Sequence, residues 1–383
     1  MKALKSKFES IETPFYYYDL DLLRETLQQI KAEIDGFPYH VHFALKSNSN
    51  PRMLALIKDH GFGADCVSGN EVKLALNVGF KKEDIVFAGV GKTDKELRYG
   101  LEQEIFAFNV ESIQELEVLE ELAGKMGKRA RFALRLNPNV DAGTHHYITT
   151  GKRDNKFGVT FEELRDSLPL IRSLSNLEFI GTHFHIGSQI TDLSRFSELV
   201  SRVNWVQDFL RKEGFELPNI NVGGGLGIDY VNPDDQIIPD FKKYFGFFKN
   251  ELNLQEGQEL HFELGRSIVG QCGSLVTRVL YNKPGEGKSF LVVDAGMTEL
   301  IRPALYQATH KIENLSNGSS EEGIYDVVGP ICESSDAFAR GIELPESKRG
   351  DLLVVRSAGA YAEVMRSVYN LRDAAASIFS DDL

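Results

Sequence analysis

The chain alternates between short apolar runs and longer segments in which apolar residues recur every three or four positions. Such alternation is typical of β-strands separated by α-helices. The apolar runs lie at 41–45, 63–67, 85–88, 105–110, 131–136, 179–185, 220–222 and 259–263. Helical patterns lie between most of them, for instance at 70–77, 112–123, 161–174 and 196–212. Eight strands separated by helices over about 250 residues predict a parallel (β/α)8 TIM-type barrel, with a doubly wound open sheet as the alternative.

The pattern changes past Gly270. Apolar runs at 275–281, 290–294, 325–328 and 352–357 are joined by turns such as Lys283-Pro284-Gly285, with little helix between them. We therefore predict an α/β chain with a barrel over 20–270 and a C-terminal all-β domain over 271–383. The run Phe15-Tyr16-Tyr17-Tyr18 is expected to add a strand to the second domain, so that 1–19 joins it.

Composition narrows the class of protein. The chain has 383 residues, of which 42% are hydrophobic, and a formal net charge of −13, which argues against a nucleic-acid-binding surface. Its three cysteines, Cys66, Cys272 and Cys332, have no CxxC spacing, so we expect a reducing cytoplasm rather than a disulfide framework. No signal peptide or membrane-spanning run is expected.

A lysine follows the first predicted strand. Lys46 comes after Phe43-Ala44-Leu45 and before Ser-Asn-Ser-Asn-Pro, which is typical of a turn. Chemistry in α/β proteins lies at the carboxyl ends of strands, and a lysine amine can form a Schiff base with a carbonyl cofactor such as pyridoxal phosphate, PLP. A surface lysine that merely caps the strand is the alternative.

Glycines follow the seventh and eighth predicted strands. The seventh ends in Gly223-Gly224-Gly225-Leu226-Gly227, and the eighth ends in Glu263-Leu264-Gly265-Arg266. Glycine lets backbone N–H groups approach a phosphate, and barrels often bind phosphate with the loops after these two strands. We predict a phosphate site there.

Two histidines and a glutamate lie on the predicted strands. His183 and His185 alternate on one face, but no nearby carboxylate or further histidine completes a zinc set, so we expect no metal and favour an imidazole lying flat against a planar cofactor. Glu263 alternates with His261 and is expected to point into the barrel. There a carboxylate could hold a proton on a pyridine nitrogen, and an ion pair with a barrel lysine is the alternative.

Several motifs occur together in one order. They are Phe43-Ala44-Leu45-Lys46-Ser47-Asn48, His185-Ile186-Gly187-Ser188-Gln189-Ile190, Gly223-Gly224-Gly225-Leu226-Gly227, Glu263-Leu264-Gly265-Arg266-Ser267, Cys332-Glu333-Ser334 and Gly359-Ala360-Tyr361. By these motifs, which extend over nearly the whole chain, the sequence resembles the diaminopimelate decarboxylase family. That family belongs to the alanine racemase-like, fold type III PLP enzymes.

The resemblance implies a role for each matched residue around PLP. Lys46 is similar to the Schiff-base lysine, His185 to the imidazole that stacks on the ring, and Glu263 to the partner of the pyridine nitrogen. Asp65 matches a position close to the cofactor, and Tyr361 matches a residue that touches cofactor and substrate. The phosphate end is matched by Ser188, Gly224, Gly225, Gly265 and Arg266.

The resemblance also implies a reaction, the decarboxylation of meso-2,6-diaminopimelate to L-lysine and CO2 in the last step of lysine biosynthesis. Arg302 and Tyr306 resemble the pair that holds the distal carboxylate of the substrate, and Arg266 and Tyr361 are also expected to bind the substrate. Cys332 resembles the proton donor, and Glu333 the residue that contacts the distal amino group. In the family this loop reaches into the neighbouring subunit, which implies a homodimer with shared active sites.

The chain departs from the family pattern at two positions. Leu264 stands where the family usually has proline, and Arg366 follows Met365 in the segment after Tyr361, at the edge of the substrate site that the resemblance implies. Apart from these departures, three alternatives stay open: decarboxylation of another basic amino acid or a carboxylated polyamine, a PLP-binding regulator without catalysis, and a barrel that binds a phosphorylated sugar.

Overall fold

The computed structural model describes residues 1–140 and 156–383. These residues form two compact units. The barrel unit consists of Leu27–Gly227 and Asp240–Gly265, and the sheet unit consists of Met1–Thr26, Ile228–Pro239 and Arg266–Leu383. The sheet unit is therefore assembled from three separate stretches of chain.

Strands and helices alternate through the barrel unit, whereas strands predominate in the sheet unit. The strands of the described residues are β1 Phe15–Tyr18, β2 Tyr39–Ala44, β3 Gly63–Cys66, β4 Ile85–Phe87, β5 Ala107–Val110, β6 Ala130–Arg135, β7 Leu177–His183, β8 Asn219–Asn221, β9 Glu259–Leu264, β10 Gly273–Pro284, β11 Ser289–Val293, β12 Ile312–Asn314, β13 Glu322–Val328, β14 Ala337–Pro345, β15 Leu352–Val355 and β16 Ala376–Phe379. The α-helices are α1 Lys5–Phe8, α2 Leu20–Ile34, α3 Pro51–Asp59, α4 Gly69–Val78, α5 Asp94–Gln103, α6 Ile113–Met126, α7 Phe161–Ser173, α8 Ser194–Lys212, α9 Phe241–Glu251, α10 Arg266–Val269 and α11 Arg302–Tyr306.

The barrel unit contains the predicted barrel. Strands β2 to β9 pair in parallel with their neighbours in chain order, and β9 pairs with β2 to close the barrel. Each predicted apolar run overlaps one of these strands, so the barrel prediction is confirmed and the open sheet is not formed. Closure aligns the carboxyl ends of all eight strands at one rim, which is where enzymes of this architecture carry their catalytic groups.

The barrel helices begin at residues that satisfy their free backbone N–H groups. Thr93 and Thr160 each form a capping box with the glutamate three residues later, at the starts of α5 and α7. Ser68 and Ser112 cap α4 and α6 in the simpler way, with the hydroxyl accepting from a backbone N–H. These caps fix where each helix begins after its strand.

The sheet unit contains an eight-stranded sheet. Its main path runs β12-β15-β10-β11-β13-β14, and β1 pairs antiparallel with β10 and parallel with β16. The prediction of a second domain built mostly of β-strands is confirmed, although the unit also contains the short helices α1, α10 and α11, and the strand expected at Phe15–Tyr18 forms. Strands β12, β14 and β16 were missed because they are short or carry mostly half-exposed and exposed residues, so they lack a long apolar run. In the described part of the chain, no helix is both long and apolar enough to cross a membrane.

Candidate active site

Lys46 lies directly after the first barrel strand. Strand β2 ends at Ala44, and a 3-10 turn, Leu45–Ser47, holds the lysine. Its Nζ lies 3.6 Å from Oδ2 of Asp65, a residue of β3 that is fully buried. Neither Asp65 oxygen has a hydrogen-bond partner in the described chain. Burial and the negative charge of Glu263 raise the pKa of Asp65, while the Lys46 ammonium opposes the rise.

Glu263 points into the barrel, as predicted, and is held there by three donors. Its Oε1 accepts hydrogen bonds from the side-chain amides of Asn109 and Asn221, each at 2.8 Å. Its Oε2 lies 3.0 Å from Nε2 of His183. These partners are two amides and an imidazole rather than the lysine of the alternative interpretation.

The partners of Glu263 decide its charge. Burial acts to raise the pKa of this carboxyl, but the charge and hydrogen bond of His183, together with the Lys46 charge, outweigh burial, so the pKa is lowered overall. Glu263 is therefore an ionised carboxylate that only accepts hydrogen bonds. It is suited to accept one from a protonated ring nitrogen.

His185 lies after β7 and differs from His183 in its partner. Its Nδ1 accepts a hydrogen bond from the backbone N–H of Gly224 at 3.3 Å. Burial lowers the pKa of His185 well below its usual range, helped by the nearby Arg135 and Lys46 charges. The imidazole is thus neutral. Within residues 1–140 and 156–383, no group of three or more side chains is arranged to hold a metal ion.

The glycines of the predicted phosphate site are required by close backbone approach. A Cβ on Gly224 would lie 1.9 Å from the carbonyl oxygen of Glu263, and one on Gly265 would lie 2.8 Å from Oγ of Ser47. Gly225 has φ of +105° and would place a Cβ 2.5 Å from the carbonyl oxygen of Gly187. Ser188 lies in the turn beside Gly187, and this turn joins the glycine loop through the backbone bond from Ile190 to Gly225.

The sheet unit contains a buried pair of arginines. Arg266 donates from Nη1 to the hydroxyl of Tyr230 at 2.6 Å, and its guanidinium carbon lies 4.7 Å from the ring centroid of Tyr361. The guanidinium carbon of Arg302, in α11, lies 4.2 Å from the ring centroid of Tyr230, and Tyr306 ends the same helix. Tyr230 thus contacts both arginines. Stacking of a guanidinium on an aromatic ring stabilises its buried charge.

Cys332 and Glu333 lie in an exposed turn of the sheet unit. The backbone N–H of Cys332 donates to Oδ1 of Asn370 at 3.2 Å, and Oε1 of Glu333 accepts from the Tyr369 hydroxyl at 2.8 Å. An exposed thiol is accessible for chemistry, in contrast to the buried Cys66 and Cys272.

Sequence reasoning missed several residues that hold these groups in place. Asn109 and Asn221 are polar residues within barrel strands, and polar residues on an otherwise apolar strand are a signal that could have found them. Tyr230 and His310, which contact Arg302, gave no comparable signal, because nothing in their local sequence relates them to that arginine.

Comparison with known proteins gives the family. A model described as "Pyridoxal-dependent decarboxylase, pyridoxal binding domain" matches residues 20–270. The chain is also 53% identical to a diaminopimelate decarboxylase of Bacteroides thetaiotaomicron, over 98% of each chain. The chain belongs to the diaminopimelate decarboxylase family of pyridoxal-dependent decarboxylases. A second member, from Aquifex aeolicus, is 42% identical over 99% of this chain and 89% of its own.

A solved structure of the family has the same fold. The diaminopimelate decarboxylase of Helicobacter pylori, crystallised in complex with L-lysine, is 39% identical, with a TM-score of 0.93 over 99% of this chain and 94% of its own. Membership of the family implies PLP as cofactor. The barrel unit fits PLP, because it offers an amine at Lys46, an ionised acceptor at Glu263 and a neutral planar imidazole at His185.

Proposed function

We propose that this pyridoxal-dependent decarboxylase acts on meso-2,6-diaminopimelate and releases L-lysine and CO2, the last step of lysine biosynthesis. The observation that carries the chemistry is the set of hydrogen bonds that Glu263 accepts from two amides and an imidazole, which favour its ionised form. The substrate is inferred from relatives named diaminopimelate decarboxylase, one of which is 53% identical over nearly the whole chain.

The residues around PLP divide the binding of the cofactor among them in this proposal. Lys46 anchors the cofactor aldehyde, His185 lies against the ring, and Tyr361 contacts both cofactor and substrate. Ser188, Gly224, Gly225, Gly265 and Arg266 bind the phosphate. Bound PLP supplies a conjugated cationic ring that accepts the electron pair left when CO2 departs.

Glu263 contributes by holding a proton at the ring nitrogen. Because the carboxylate stays ionised, its electrostatic effect is in place before the reaction begins, and such preorganised charge is typically worth about 3–4 kcal/mol of barrier. Lys46 or Cys332 then delivers a proton to the α-carbon. The buried carboxyl of Asp65, 3.6 Å from the Lys46 amine, is placed to influence the charge of that amine.

The far end of the substrate is assigned to the sheet unit. Arg302 and Tyr306 bind the carboxylate that is retained, Glu333 binds the distal amino group, and Arg266 and Tyr361 also contact the substrate. A buried guanidinium left without a carboxylate partner penalises substrates that lack this group, by up to about 10⁴-fold. This asymmetry favours diaminopimelate over lysine or ornithine as the substrate.

The exposed turn of Cys332 and Glu333 supports a further part of the proposal. We infer that the enzyme is a cytoplasmic homodimer in which this turn completes the active site of the neighbouring subunit. A thiol that donates a proton must reach the substrate, and an exposed turn can do so across a subunit interface.

Product analysis tests the proposed function. The purified enzyme is incubated with PLP and, separately, with meso-diaminopimelate, ornithine, arginine and lysine, and the products are separated and identified. We expect L-lysine and CO2 from meso-diaminopimelate at a rate far above that of CO2 release from the other three. Release of CO2 chiefly from another amino acid, or binding of PLP without any turnover, contradicts the proposal.

A further inference from the structure

His310 is buried beside Arg302 in the sheet unit, with 3% of its surface exposed. Its Nε2 lies 2.7 Å from Nη1 of Arg302, and its Nδ1 lies 2.8 Å from the backbone carbonyl oxygen of Arg356. A carbonyl oxygen can only accept, so Nδ1 carries the proton. The lone pair of Nε2 then accepts from the guanidinium, and His310 is a neutral acceptor with a defined tautomer.

The carbonyl that holds His310 is itself fixed. The Arg356 side chain is paired with Glu313 at 2.7 Å and with Asp234 at 2.9 Å, and Asp234 also binds Lys311 at 2.9 Å. The backbone N–H of Arg356 donates to the carbonyl of Lys311 at 2.9 Å. Both ends of the imidazole are therefore anchored, one by a braced backbone and one by the guanidinium.

Tyr230 completes the support of Arg302. Its ring meets the His310 ring edge to face, with centroids 4.8 Å apart, and lies 4.2 Å from the Arg302 guanidinium carbon. Arg302 is 5% exposed, and its Nε has no hydrogen-bond partner in the described chain. Arg302 forms no ion pair in the described chain. The ion pairs nearby join Arg356 to Glu313 and Asp234, and Lys311 to Asp234.

The partners of Arg302 orient it without neutralising it. A carboxylate in the place of His310 would cancel the positive charge and compete with an anionic ligand. A neutral imidazole satisfies one N–H and sets the plane of the guanidinium, while the full charge stays available to a carboxylate. Burial, together with the adjacent Arg302 charge, lowers the pKa of His310 to about 3, in agreement with its neutral state.

We propose, on the basis of the function proposed above, that His310 is a positioning residue that aims Arg302 at the carboxylate the product retains. It thereby contributes to the preference for ligands that carry this group. The imidazole does not touch the substrate in this proposal. Its effect passes through the guanidinium and is confined to the carboxylate end of the ligand.

The test uses a pair of ligands that differ in this carboxylate alone. L-Lysine retains the carboxylate that decarboxylation leaves, and cadaverine is the same diamine without it. Their dissociation constants are measured by calorimetric titration of the PLP-loaded enzyme, for the wild type and for three variants, His310→Gln, His310→Asn and Arg302→Ala. The visible band of the bound cofactor, which a general loss of fold would change, is recorded for each.

The two histidine variants distinguish the contribution of the Nε2 hydrogen bond to Arg302 from that of the Nδ1 hydrogen bond to the Arg356 carbonyl. A glutamine can place an acceptor near the Nε2 position, whereas an asparagine reaches the Nδ1 position and keeps the bond to the Arg356 carbonyl alone. We expect His310→Asn to weaken L-lysine binding by about tenfold with cadaverine binding unchanged, and His310→Gln to restore most of the loss. Thr309→Ala, at an exposed neighbour, should leave both constants as in the wild type.

A double variant keeps the proposal open to refutation even if one protein is unstable. In an Arg302→Ala background, His310→Asn should have no further effect on L-lysine binding, because its action passes through the arginine. Unchanged L-lysine binding in His310→Asn, with Arg302→Ala still impaired, overturns the role of His310 alone. Unchanged discrimination in Arg302→Ala overturns the assignment of Arg302 as well, and a failure to form L-lysine from diaminopimelate overturns the proposed function itself.

Discussion

Nε2 of His183 lies 3.0 Å from Oε2 of Glu263, and both side chains are buried in the barrel. The imidazole hydrogen-bonds to Oε2 of the carboxylate, and the side-chain amides of Asn109 and Asn221 donate to Oε1. A carboxylate surrounded by donors is stabilised in its charged form, so burial does not neutralise it. The barrel thus keeps the Glu263 carboxylate charged at a defined place.

Replacing that charge should slow the reaction without removing the cofactor. Glu263→Gln keeps the size of the side chain but loses the ionised acceptor, and we expect kcat on meso-diaminopimelate to fall by about 10²- to 10³-fold. Steady-state kinetics and the visible spectrum of bound PLP measure the two effects separately. Glu259→Gln, at an exposed position on the same strand, is the control, and a wild-type kcat in Glu263→Gln would rule out the assigned role.

The glycine loop gives a second prediction. Gly224→Ala should lower the thermal unfolding midpoint and weaken PLP binding, because the new Cβ would lie 1.9 Å from the carbonyl oxygen of Glu263 and force the two strand ends apart. Gly246→Ala is the matched change, since a Cβ there meets nothing within 4 Å and the residue lies inside α9. It should raise stability by up to about 1 kcal/mol. Equal midpoints for the two variants would contradict the close-approach argument.

The shared active site can be tested by mixing two inactive variants. Lys46→Ala and Cys332→Ala are each expected to lose activity, and a mixture that has exchanged subunits contains hybrid dimers in which one site has both residues intact. About a quarter of the wild-type activity should return in an equal mixture. Sedimentation of each variant checks that dimers are present, and no recovery after proven exchange would place both residues in the same subunit.

The buried imidazole of His310 gives a pH prediction. Its pKa is lowered from 6.5 to about 3 in the folded protein, so as pH falls below 6.5 the unfolded chain binds a proton that the folded chain does not. The histidine therefore costs stability on the acid side, by roughly 1 kcal/mol between pH 7.5 and 5.5. Urea unfolding of His310→Gln should show a loss over this range that is smaller by that amount. An identical pH dependence in variant and wild type would contradict the neutral state of His310.

Local sequence predicted the barrel because each barrel strand contains a run of consecutive buried residues. It predicted the place of Lys46 because a turn follows the first barrel strand at once. It did not predict β14, whose alternation is interrupted by Gly341 and by charged residues on an exposed face. It likewise missed Tyr230 and His310, because their role in holding Arg302 depends on contacts that form only in the folded chain. A reactive residue such as Lys46 can be recognised in the sequence by its residue type and its position after a strand. A residue that orients a reactive group can be recognised only from its distance to that group in the folded chain.

The stretch Ile228–Pro239, which carries Tyr230, leaves the barrel sequence to join the sheet unit and is followed by a return to the barrel at Asp240. No single cut in the chain therefore releases the sheet unit whole. A gene fragment that encodes 271–383 lacks both β1 and the tyrosine on which Arg302 stacks, so grafting this specificity onto another scaffold requires transplanting three discontinuous pieces together.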